Sequence, residues 1–352
     1  MDLIPELWVG RRVLVTGHTG FKGSWLVFWL NKLGAEVIGL SLPPLESRTS
    51  LYIDANIGNV LTSEYFTDIR NELAVEEAFL NSKPDYVFHL AAQSLVSKSL
   101  KNPRESITTN VVGTTNVLLS SMSLKSVMGV TLATTDKVYR NINSHKPFTE
   151  TDELGGLDPY SSSKAATELI VTSLISKLNS YKTPVTTVRS GNVIGGGDYG
   201  ENRLVPDLVT ALNLDQILML RNPTSTRPWQ YILDCLRGYL LVAQAHLQNK
   251  ANIPNSINFG PSSSLPVKEV INIFQLAFKK EVDYKVVEST FNETDKLELN
   301  SQLAFDYLGW RPLLTPELAI MRTANWYLKS SAGISSRELM LEDLSNYTKD
   351  SL

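Results

Sequence analysis

Two short groups of polar side chains in the middle of the chain carry residue types suited to acid–base chemistry. Thr135, Asp136 and Lys137 directly follow an apolar, β-rich run, and Tyr160 and Lys164 come about twenty residues later. A spacing of four places both side chains of the second group on one face of a helix. A phenol has an ordinary pKa of about 10, and a neighbouring ammonium favours the phenolate. The spacing therefore suits a tyrosine base and its lysine activator, although a YxxxK pair alone is also common on solvated helix faces.

Two predicted elements must position these groups. Residues 127–133 form a predicted strand, and functional groups at the carboxyl end of a strand in an open α/β sheet lie in the ligand-binding crevice. Asp158 and Pro159 predict the start of a helix that continues to about residue 178, because Asp caps a first turn and Pro fits it. The two groups are therefore expected to meet at one edge of a sheet.

A glycine-rich turn near the start of the sequence predicts a dinucleotide site. A predicted strand at residues 11–16 precedes the turn, and a predicted helix at residues 24–33 follows it. Glycines allow backbone N–H groups to approach a pyrophosphate closely, and the helix N-terminus attracts its charge. The spacing is GxxGxxG rather than GxGxxG, and a plain strand–helix turn is the alternative. The candidate pyrophosphate-binding residues are Gly17, Thr19, Gly20, Phe21, Lys22 and Gly23.

Further cofactor candidates follow the next predicted strands. In an NAD site an acidic residue near the end of the second strand holds the ribose 2′-hydroxyl, but this strand ends in Ser41. Both NAD and NADP therefore stay open, and Arg48 could meet a 2′-phosphate. Asp68 and Ile69 could lie beside the adenine, with a surface turn as the alternative. The remaining candidates follow the fourth strand or lie on the next helix: Ala91, Ala92, Gln93 and Asn110.

The alternation of short apolar strands and helices predicts an α/β fold with a Rossmann-type, doubly wound parallel sheet. We expect residues 1–188 to form an NAD(P)-binding domain, and residues 189–330 a smaller, mixed α/β substrate-binding domain with some segments returning to the first. Residues 331–352 are expected to be a polar, partly disordered tail. The second half combines arginines, which bind phosphates, with aromatic residues, which stack on bases. Its candidates for a nucleotide diphosphate are Arg203, Arg221, Arg227 and Tyr231, with ordinary surface roles as the alternative.

The composition argues against several classes of function. The chain has 352 residues and a formal net charge of −3, which is unfavourable for a broad nucleic-acid-binding surface. The single cysteine, Cys235, excludes an intrachain disulfide and fits a reducing compartment. No apolar stretch approaches the ~20 residues of a membrane span and no signal peptide is recognised, so a cytoplasmic location is expected. The four histidines lack metal-ligand spacing, so no metal is predicted, and His89 is expected to be a hydrogen-bonded core residue.

Several motifs together resemble those of extended short-chain dehydrogenases/reductases that act on nucleotide sugars. They are GHTGFKG at residues 17–23, HLAA at 89–92, Tyr160 with Lys164, and Arg189 with Asn192. Four segments are more narrowly similar to CDP-glucose 4,6-dehydratases: GHTGFKGSWL, TTDKVY, GNVIGGGD and RPWQY, which begin at residues 17, 134, 191 and 227. Epimerases and decarboxylases of the superfamily usually lack an Asp–Lys pair after the threonine.

The resemblance implies an NAD-dependent lyase that converts CDP-glucose to CDP-4-keto-6-deoxyglucose, for example in deoxysugar biosynthesis for lipopolysaccharide O-antigen. Thr135 would hydrogen-bond the sugar O4, Tyr160 would remove its proton, and Lys164 would lower the pKa of Tyr160 and bind the nicotinamide ribose. After hydride leaves C4, Asp136 as acid and Lys137 as base would eliminate water across C5 and C6, and hydride would return to C6. The division between these two residues stays open, since a lysine base must be neutral and Lys137 could instead order a phosphate or a loop.

The same likeness implies further contacts and alternatives. Asn192 matches the family asparagine that contacts the substrate nucleotide, and the helices predicted at residues 103–122 and 159–178 could pair with a second subunit in a homodimer. The alternatives are a 4,6-dehydratase for UDP-N-acetylglucosamine or dTDP-glucose, a 4-epimerase, and a non-catalytic cofactor-sensing module. An epimerase does not need the Asp–Lys pair, and sensing modules typically lack the tyrosine or the lysine, both of which are present here.

Overall fold

A parallel sheet of seven strands forms the centre of the computed structural model, which describes residues 2–45, 49–141, 146–287 and 297–350. The strands of the chain are β1 (Arg12–Thr16), β2 (Glu36–Ser41), β3 (Ser63–Phe66), β4 (Tyr86–His89), β5 (Val130–Ala133), β6 (Val185–Ser190), β7 (Asn192–Ile194), β8 (Leu218–Leu220), β9 (Thr226–Arg227), β10 (Trp229–Tyr231), β11 (Ser256–Phe259), β12 (Leu265–Pro266) and β13 (Tyr284–Val286). The central sheet has the order β3-β2-β1-β4-β5-β6-β11. This order confirms the predicted Rossmann-type fold, and it places a crevice between the carboxyl ends of β1 and β4, where the winding reverses.

Helices pack on both faces of this sheet. They are α1 (Phe21–Lys32), α2 (Leu51–Asp54), α3 (Glu72–Ser82), α4 (Val96–Lys101), α5 (Pro103–Ile107), α6 (Thr114–Ser123), α7 (Pro159–Leu178), α8 (Leu204–Leu214), α9 (Ile232–Leu247), α10 (Val267–Phe278), α11 (Gln302–Leu308), α12 (Pro316–Ser331) and α13 (Ser336–Asp350). Alternate residues of β1 show the two-sided burial: Val13 and Val15 join one apolar cluster, and Leu14 joins the cluster on the opposite face. Burial on both faces explains why the strand is a continuous apolar run.

The helix that carries Tyr160 and Lys164 has the predicted bounds. An Asp158 carboxylate oxygen accepts a hydrogen bond from the Ser161 backbone N–H at 3.0 Å, and Pro159 is the first residue of α7. The helix predicted at residues 103–122 is also helical, but its middle turn, Thr108–Gly113, is a π-helix between α5 and α6. The predicted capped helix start and the predicted long helical segment are therefore confirmed, with one irregular turn added.

His89 is a core residue, as predicted. One of its ring nitrogens lies 2.7 Å from Thr16 Oγ1 and the other lies 2.9 Å from Thr114 Oγ1. Burial and, to a smaller extent, the charge of Lys164 lower its pKa to about 3, so the ring is neutral at pH 7. His89 therefore links two strands to α6 through hydrogen bonds and carries no charge.

The second half of the chain adds three small two-stranded pairs and returns once to the central sheet. The pairs are β7 with β10, β8 with β13, and β9 with β12, and the returning strand is β11, which pairs with β6. The connection at residues 191–198 is fastened to both halves. Trp25 of α1 donates its indole N–H to the Gly196 carbonyl at 2.9 Å, and the Tyr327 hydroxyl of α12 donates to the Asp198 carbonyl at 2.7 Å.

The expectation of a partly disordered tail is wrong for residues 336–350, which form α13. Leu339, Met340, Leu344 and Tyr347 are buried in the main apolar cluster. The Tyr347 hydroxyl also donates to Asp234 at 2.6 Å. The segment looks polar in composition because most of its other side chains face solvent, but one face of the helix completes the core.

Within the described residues no helix is long and apolar enough to cross a membrane. Those same residues contain no group of three or more His, Cys, Asp or Glu side chains arranged to hold a metal ion.

Candidate active site

A cleft of about 1150 Å³ opens at the carboxyl edge of the central sheet, between the sheet and the small strand pairs. It brings together nearly all the predicted site residues. Those that line it are Gly17, Thr19, Gly20, Phe21, Lys22, Gly23, Ser41, Asp68, Ile69, Ala91, Ala92, Gln93, Thr135, Asp136, Lys137, Tyr160, Lys164, Asn192, Arg203, Arg221 and Arg227. Asn110 and Tyr231 do not line it, and Arg48 lies outside the described residues.

The glycine turn has the close backbone approaches that a dinucleotide loop requires. Gly17 has φ +73°, and a Cβ atom built on it would lie 2.7 Å from the Ala91 backbone nitrogen. A Cβ atom on Gly23 would lie 2.1 Å from the Gly17 carbonyl oxygen. Side chains larger than glycine are therefore excluded, and α1 begins at the next residue after Gly20 with its N–H groups facing the cleft edge. These residues fit the pyrophosphate of a dinucleotide.

The residues at the expected adenosine end are already hydrogen-bonded within the protein. Thr19 and Ser41 hydroxyl oxygens lie 2.8 Å apart at the end of β2. The Asp68 carboxylate accepts from Arg70 Nε at 3.0 Å, and this hydrogen bond from a cation lowers the pKa of Asp68. Thr19 and Ser41 place hydroxyl groups, and no carboxylate, at the end of the second strand.

Asn110 lies behind the cleft wall. Its side-chain oxygen accepts from the Gln93 backbone N–H at 2.9 Å, and its amide donates to the Gln93 carbonyl at 3.0 Å and to Ser163 Oγ at 2.8 Å. Fully buried, it fixes the cleft residue Gln93 against α7 and does not face the cofactor space directly. The structure gives Asn110 a supporting contact, and its cofactor contact stays a prediction.

Asp136 is a buried carboxyl group with one unsatisfied oxygen. Thr135 donates its hydroxyl to Oδ1 at 3.0 Å, whereas Oδ2 has no hydrogen-bond partner. Burial raises the pKa of Asp136, although the charges of Lys137, Arg227 and Lys22 act in the opposite direction. A carboxyl group with a raised pKa holds its proton more readily, so Asp136 is suited to the role of an acid.

Lys137 differs from its neighbour in exposure. Its side chain is exposed within the cleft, and its backbone N–H donates to Thr135 Oγ1 at 3.3 Å in the short 3-10 turn Asp136–Val138. Burial, which disfavours the charged form of a lysine, is therefore absent at Lys137. Lys137 lines the cleft.

Tyr160 and Lys164 are both buried on the face of α7 that meets the end of β5. Lys164 Nζ donates to the Ala133 carbonyl at 3.2 Å, and burial, with the charge of Lys22, lowers its pKa to about 8. Burial raises the pKa of Tyr160 to about 12, against the effects of a hydrogen bond with Thr135 and of the Arg203 charge. Desolvation therefore raises the pKa of Tyr160, which is opposite to the depression expected from Lys164.

Lys22 extends from the glycine turn toward the catalytic residues. Its Nζ donates to Ser190 Oγ at 2.9 Å and lies 5.9 Å from the centre of the Tyr239 ring. Its charge acts on both Asp136 and Lys164. From the sequence, Lys22 was predicted to contact only the pyrophosphate. Its contact with Ser190 depends on the tertiary fold, which brings α1 and the end of β6 together.

The predicted substrate residues separate into two groups. Arg203 lines the cleft, and its guanidinium donates to Asp198 at 2.9 and 3.0 Å, which fixes its position. Arg221 and Arg227 line the same part of the cleft. Tyr231 is buried and donates its hydroxyl to Asp343 of α13, a core contact that does not support its predicted ligand contact. The reason is the docking of α13, which covers the side of β10 that would otherwise face outward.

One pair of charged residues at the site was not predicted as functional. Glu168 and Arg189 form a buried ion pair directly behind Thr134 and Lys164. The available signal is spacing, because Glu168 follows Lys164 by four residues and therefore shares its helix face.

One cleft thus holds a glycine turn, a Tyr–Lys pair and a separate buried acid. The profile of the NAD dependent epimerase/dehydratase family matches residues 13–260. The chain belongs to this family. The family is described as NAD dependent, which agrees with the prediction of NAD.

Relatives of the chain within the family include dehydratases and epimerases. The CDP-glucose 4,6-dehydratase of Salmonella typhimurium is 34% identical over 334 residues, which are 92% of each chain. The structure of a UDP-glucose 4-epimerase from Thermotoga maritima with UDP-glucose matches with a TM-score of 0.78 at 26% identity, over 91% of this chain and 99% of that one. A dTDP-glucose 4,6-dehydratase from Bacillus anthracis in complex with NAD matches in fold with a TM-score of 0.76 at 23% identity, over 92% and 98%.

Proposed function

We propose that this family member is an NAD-dependent 4,6-dehydratase whose substrate is CDP-glucose. The observation that carries the proposal is Asp136, a buried acid with an unpartnered oxygen beside Thr135 and Tyr160. Removal of water needs a proton donor for the departing hydroxyl, in addition to the tyrosine that acts at O4. A 4-epimerase needs no such donor. The similarity to the CDP-glucose 4,6-dehydratase of Salmonella typhimurium supports cytidine as the base.

In this proposal the residues of the cleft act in sequence on one sugar ring. Tyr160 takes the proton from O4 while the Thr135 hydroxyl holds that oxygen. Bound NAD supplies the acceptor and the donor of hydride that the net reaction requires. The buried positive charge of Lys164 favours the tyrosinate, because Coulomb attraction is strong where water is excluded.

The elimination is assigned to the two residues after Thr135. Asp136 donates a proton to the departing 6-hydroxyl, which suits its raised pKa. Lys137 removes the C5 proton, which the neighbouring 4-keto group acidifies. The burial of Asp136 supports its role as the acid, whereas the exposed Lys137 would depend on the bound sugar for its desolvation.

The nucleotide is assigned to the part of the cleft formed by the second half. Asn192 of β7 and the guanidinium groups of Arg203, Arg221 and Arg227 line this part. Arginine forks match diphosphate oxygens. Arg203 is held in place by Asp198, so it is preorganised for such a contact.

We also propose that the protein is a cytoplasmic homodimer that supplies a deoxysugar precursor, for example for lipopolysaccharide O-antigen. The dimer contact would be made by α5, the π-helical turn, α6 and α7. Ile107, Val112, Leu119 and Leu169 on these helices are large, apolar and exposed. Apolar side chains concentrated on adjacent helices are typical of helix–helix interfaces.

The test of substrate and reaction is an assay with four nucleotide sugars. Purified protein is incubated separately with CDP-glucose, dTDP-glucose, UDP-glucose and UDP-N-acetylglucosamine, with and without added NAD, and the alkali-induced absorbance of a 4-keto-6-deoxy product is measured. We expect product from CDP-glucose alone. Product from another sugar would reject the cytidine assignment and keep the dehydration.

A matched variant tests the role of the acid. Asp136→Asn keeps the shape of the side chain, removes its proton donor, and is expected to lower the rate of product formation by about 100-fold or more. An unchanged rate in the folded variant would reject Asp136 as the acid. Interconversion of UDP-glucose and UDP-galactose without any dehydrated product would instead identify a 4-epimerase.

A further inference from the structure

Glu168 and Arg189 form a closed, buried ion pair behind the catalytic residues. Arg189 Nε donates to Glu168 Oε1 at 2.8 Å, and Arg189 Nη2 donates to Glu168 Oε2 at 2.5 Å. Each side chain is only 4% exposed. A fork-to-fork geometry of this kind fixes both the distance and the orientation of the two side chains.

Two hydroxyl groups complete the hydrogen bonding of Glu168. Thr134 Oγ1 donates to Oε1 at 2.6 Å, and Thr187 Oγ1 of β6 donates to Oε2 at 3.0 Å. The carboxylate of a helix residue therefore receives four hydrogen bonds from the ends of two strands. These bonds fix α7 relative to β5 and β6.

The position of Glu168 along α7 connects this network to the chemistry. Glu168 lies one helical turn after Lys164 and two turns after Tyr160, so the three share a helix face. Its partner Thr134 directly precedes Thr135. One carboxylate thus links the helix that carries the base to the strand end that carries the hydroxyl.

Arg189 holds the opposite end of the same turn. Its Nη1 donates to the Tyr139 hydroxyl at 2.7 Å, and its guanidinium lies 4.9 Å from the centre of the Tyr139 ring. Tyr139 directly follows the turn Asp136–Val138, and its hydroxyl donates a hydrogen bond to Asn258 Oδ1 at 2.6 Å. The ion pair therefore contacts the residues immediately before and after the segment that contains Thr135, Asp136 and Lys137.

We propose that Glu168 is a positioning residue for the reaction: together with Arg189 it sets the register of Tyr160 and Lys164 on α7 against the turn that carries Thr135 and Asp136. The proposal rests on the dehydratase function argued above. Glu168 does not line the cleft, so it acts on the reaction through its neighbours.

The charge of Glu168 has a second consequence, for Lys164. Burial and the charge of Lys22 lower the pKa of Lys164, and the charge of Glu168 raises it, so that it settles at about 8. Lys164 also acts on the neutral His89 at the end of β4, and Tyr160 lies one turn before it on the same face of α7. Without the negative charge of Glu168 the pKa of Lys164 falls, and Lys164 loses its proton at a lower pH.

The test compares Glu168→Gln with the wild type over a range of pH with CDP-glucose and NAD. The glutamine has the same shape, and it removes the charge and half of the guanidinium pairing. We expect kcat to fall by about 10- to 100-fold with a change in KM of less than about threefold, because ligand contacts are unaltered. The alkaline limb of the kcat profile should move to lower pH by about one unit.

Two further variants separate positioning from stability. Asp234→Asn neutralises another buried carboxyl group, which accepts hydrogen bonds from the Leu313 backbone N–H at 2.8 Å and from Tyr347 and is remote from the cleft. It is expected to lower the melting temperature without moving the pH limb. Thr134→Val removes one hydrogen bond to Glu168 and leaves its charge, so it should lower kcat with no shift of the limb, and Thr134→Ser should restore kcat.

Two outcomes would overturn this proposal alone, and a third would be failure of the function itself. A folded Glu168→Gln with wild-type kcat and an unmoved limb would make the pair purely structural. If Glu168→Gln does not fold, an unchanged kcat in Thr134→Val would overturn the proposal on its own. Wild-type protein that dehydrates none of the four nucleotide sugars would reject the proposed function and, with it, this role. If the wild type is active, a result obtained with the variants concerns the role of Glu168 alone.

Discussion

The carboxyl group of Asp136 lies against the backbone of Gly191: a Cβ atom built on Gly191 would be only 3.1 Å from Asp136 Oδ2. The same Cβ atom would lie 2.7 Å from Cγ of Pro228. Oδ2 is the oxygen that has no hydrogen-bond partner within the protein. The residue that follows β6 must therefore be small if the proposed acid and the segment beside Arg227 are to keep their positions.

Gly191→Ala tests this packing directly. The added methyl group must displace the Pro228 ring or the Asp136 carboxyl group, so we expect kcat to fall by about tenfold or more with a smaller change in KM. The measurement is steady-state product formation with CDP-glucose. A variant with full activity would show that the position of Oδ2 has no bearing on the rate.

Tyr160→Phe removes the proposed base and leaves its ring. The rate should fall by about 10²- to 10⁴-fold, which is the usual contribution of a general acid or base. Calorimetric binding of CDP-glucose should persist, because the diphosphate and nucleotide contacts are untouched. Tyr181→Phe, which removes a hydroxyl from an exposed tyrosine, serves as the control and should leave the rate unchanged.

Leu169→Glu tests the proposed dimer. Leu169 is 62% exposed and lies on the face of α7 that points away from the sheet. A charge buried at a helix–helix interface is unfavourable, so light scattering should show a shift from twice the chain mass of 39.1 kDa toward that mass. Leu73→Glu on α3, where Leu73 is 75% exposed, is the matched control. A wild type that is already monomeric would reject the interface.

The pairing of Asp343 with Tyr231 predicts a pH-dependent stability. Burial raises the pKa of Asp343 to about 6, although the Tyr231 hydroxyl and the charge of Arg322 oppose the shift. A carboxyl group with a raised folded-state pKa stabilises the fold at low pH, and this contribution is lost as the pH rises toward and through 6. The free energy of unfolding of Asp343→Asn, measured relative to the wild type, should therefore increase between about pH 4 and pH 7, by on the order of 2 kcal/mol. A difference that is constant over this range would contradict the assignment.

Met340→Ala tests whether α13 belongs to the core. Met340 is fully buried, and truncation of a buried methionine costs about 2–5 kcal/mol. Denaturant unfolding should show this loss, whereas Ser345→Ala on the exposed face of the same helix should stay within about 0.5 kcal/mol of the wild type. Equal stability of the two variants would mean that α13 does not contribute to the core.

Local signals were sufficient to predict the sheet and most of the cleft. The glycine turn, the capped start of α7 and the polar strand end at Thr135 each lie within one stretch of sequence, and each depends on nearest-neighbour geometry. Parallel sheets then bring such strand ends to one edge. The central chemistry was therefore accessible without knowledge of tertiary contacts.

The features that the sequence did not predict depend mainly on contacts between distant segments. Tyr231 lies close to Arg227 in sequence, and only α13, more than a hundred residues later, decides that it faces the core. The pairing of Asn110 with Gln93 could not be predicted from the sequence, because it depends on how two segments pack. For α13 itself a signal existed, since Met340, Leu344 and Tyr347 recur at helical spacing, but few of its other residues are apolar.

The connection between the two halves of the chain determines how the protein should unfold. Trp25 and Tyr327 fasten residues 191–198 from opposite sides, and one apolar cluster includes side chains from both halves, such as Val13 and Leu208. Neither half can separate without exposing this shared apolar surface. Heating should therefore produce a single cooperative transition, with calorimetric and van't Hoff enthalpies in agreement, rather than successive melting of a cofactor half and a sugar half.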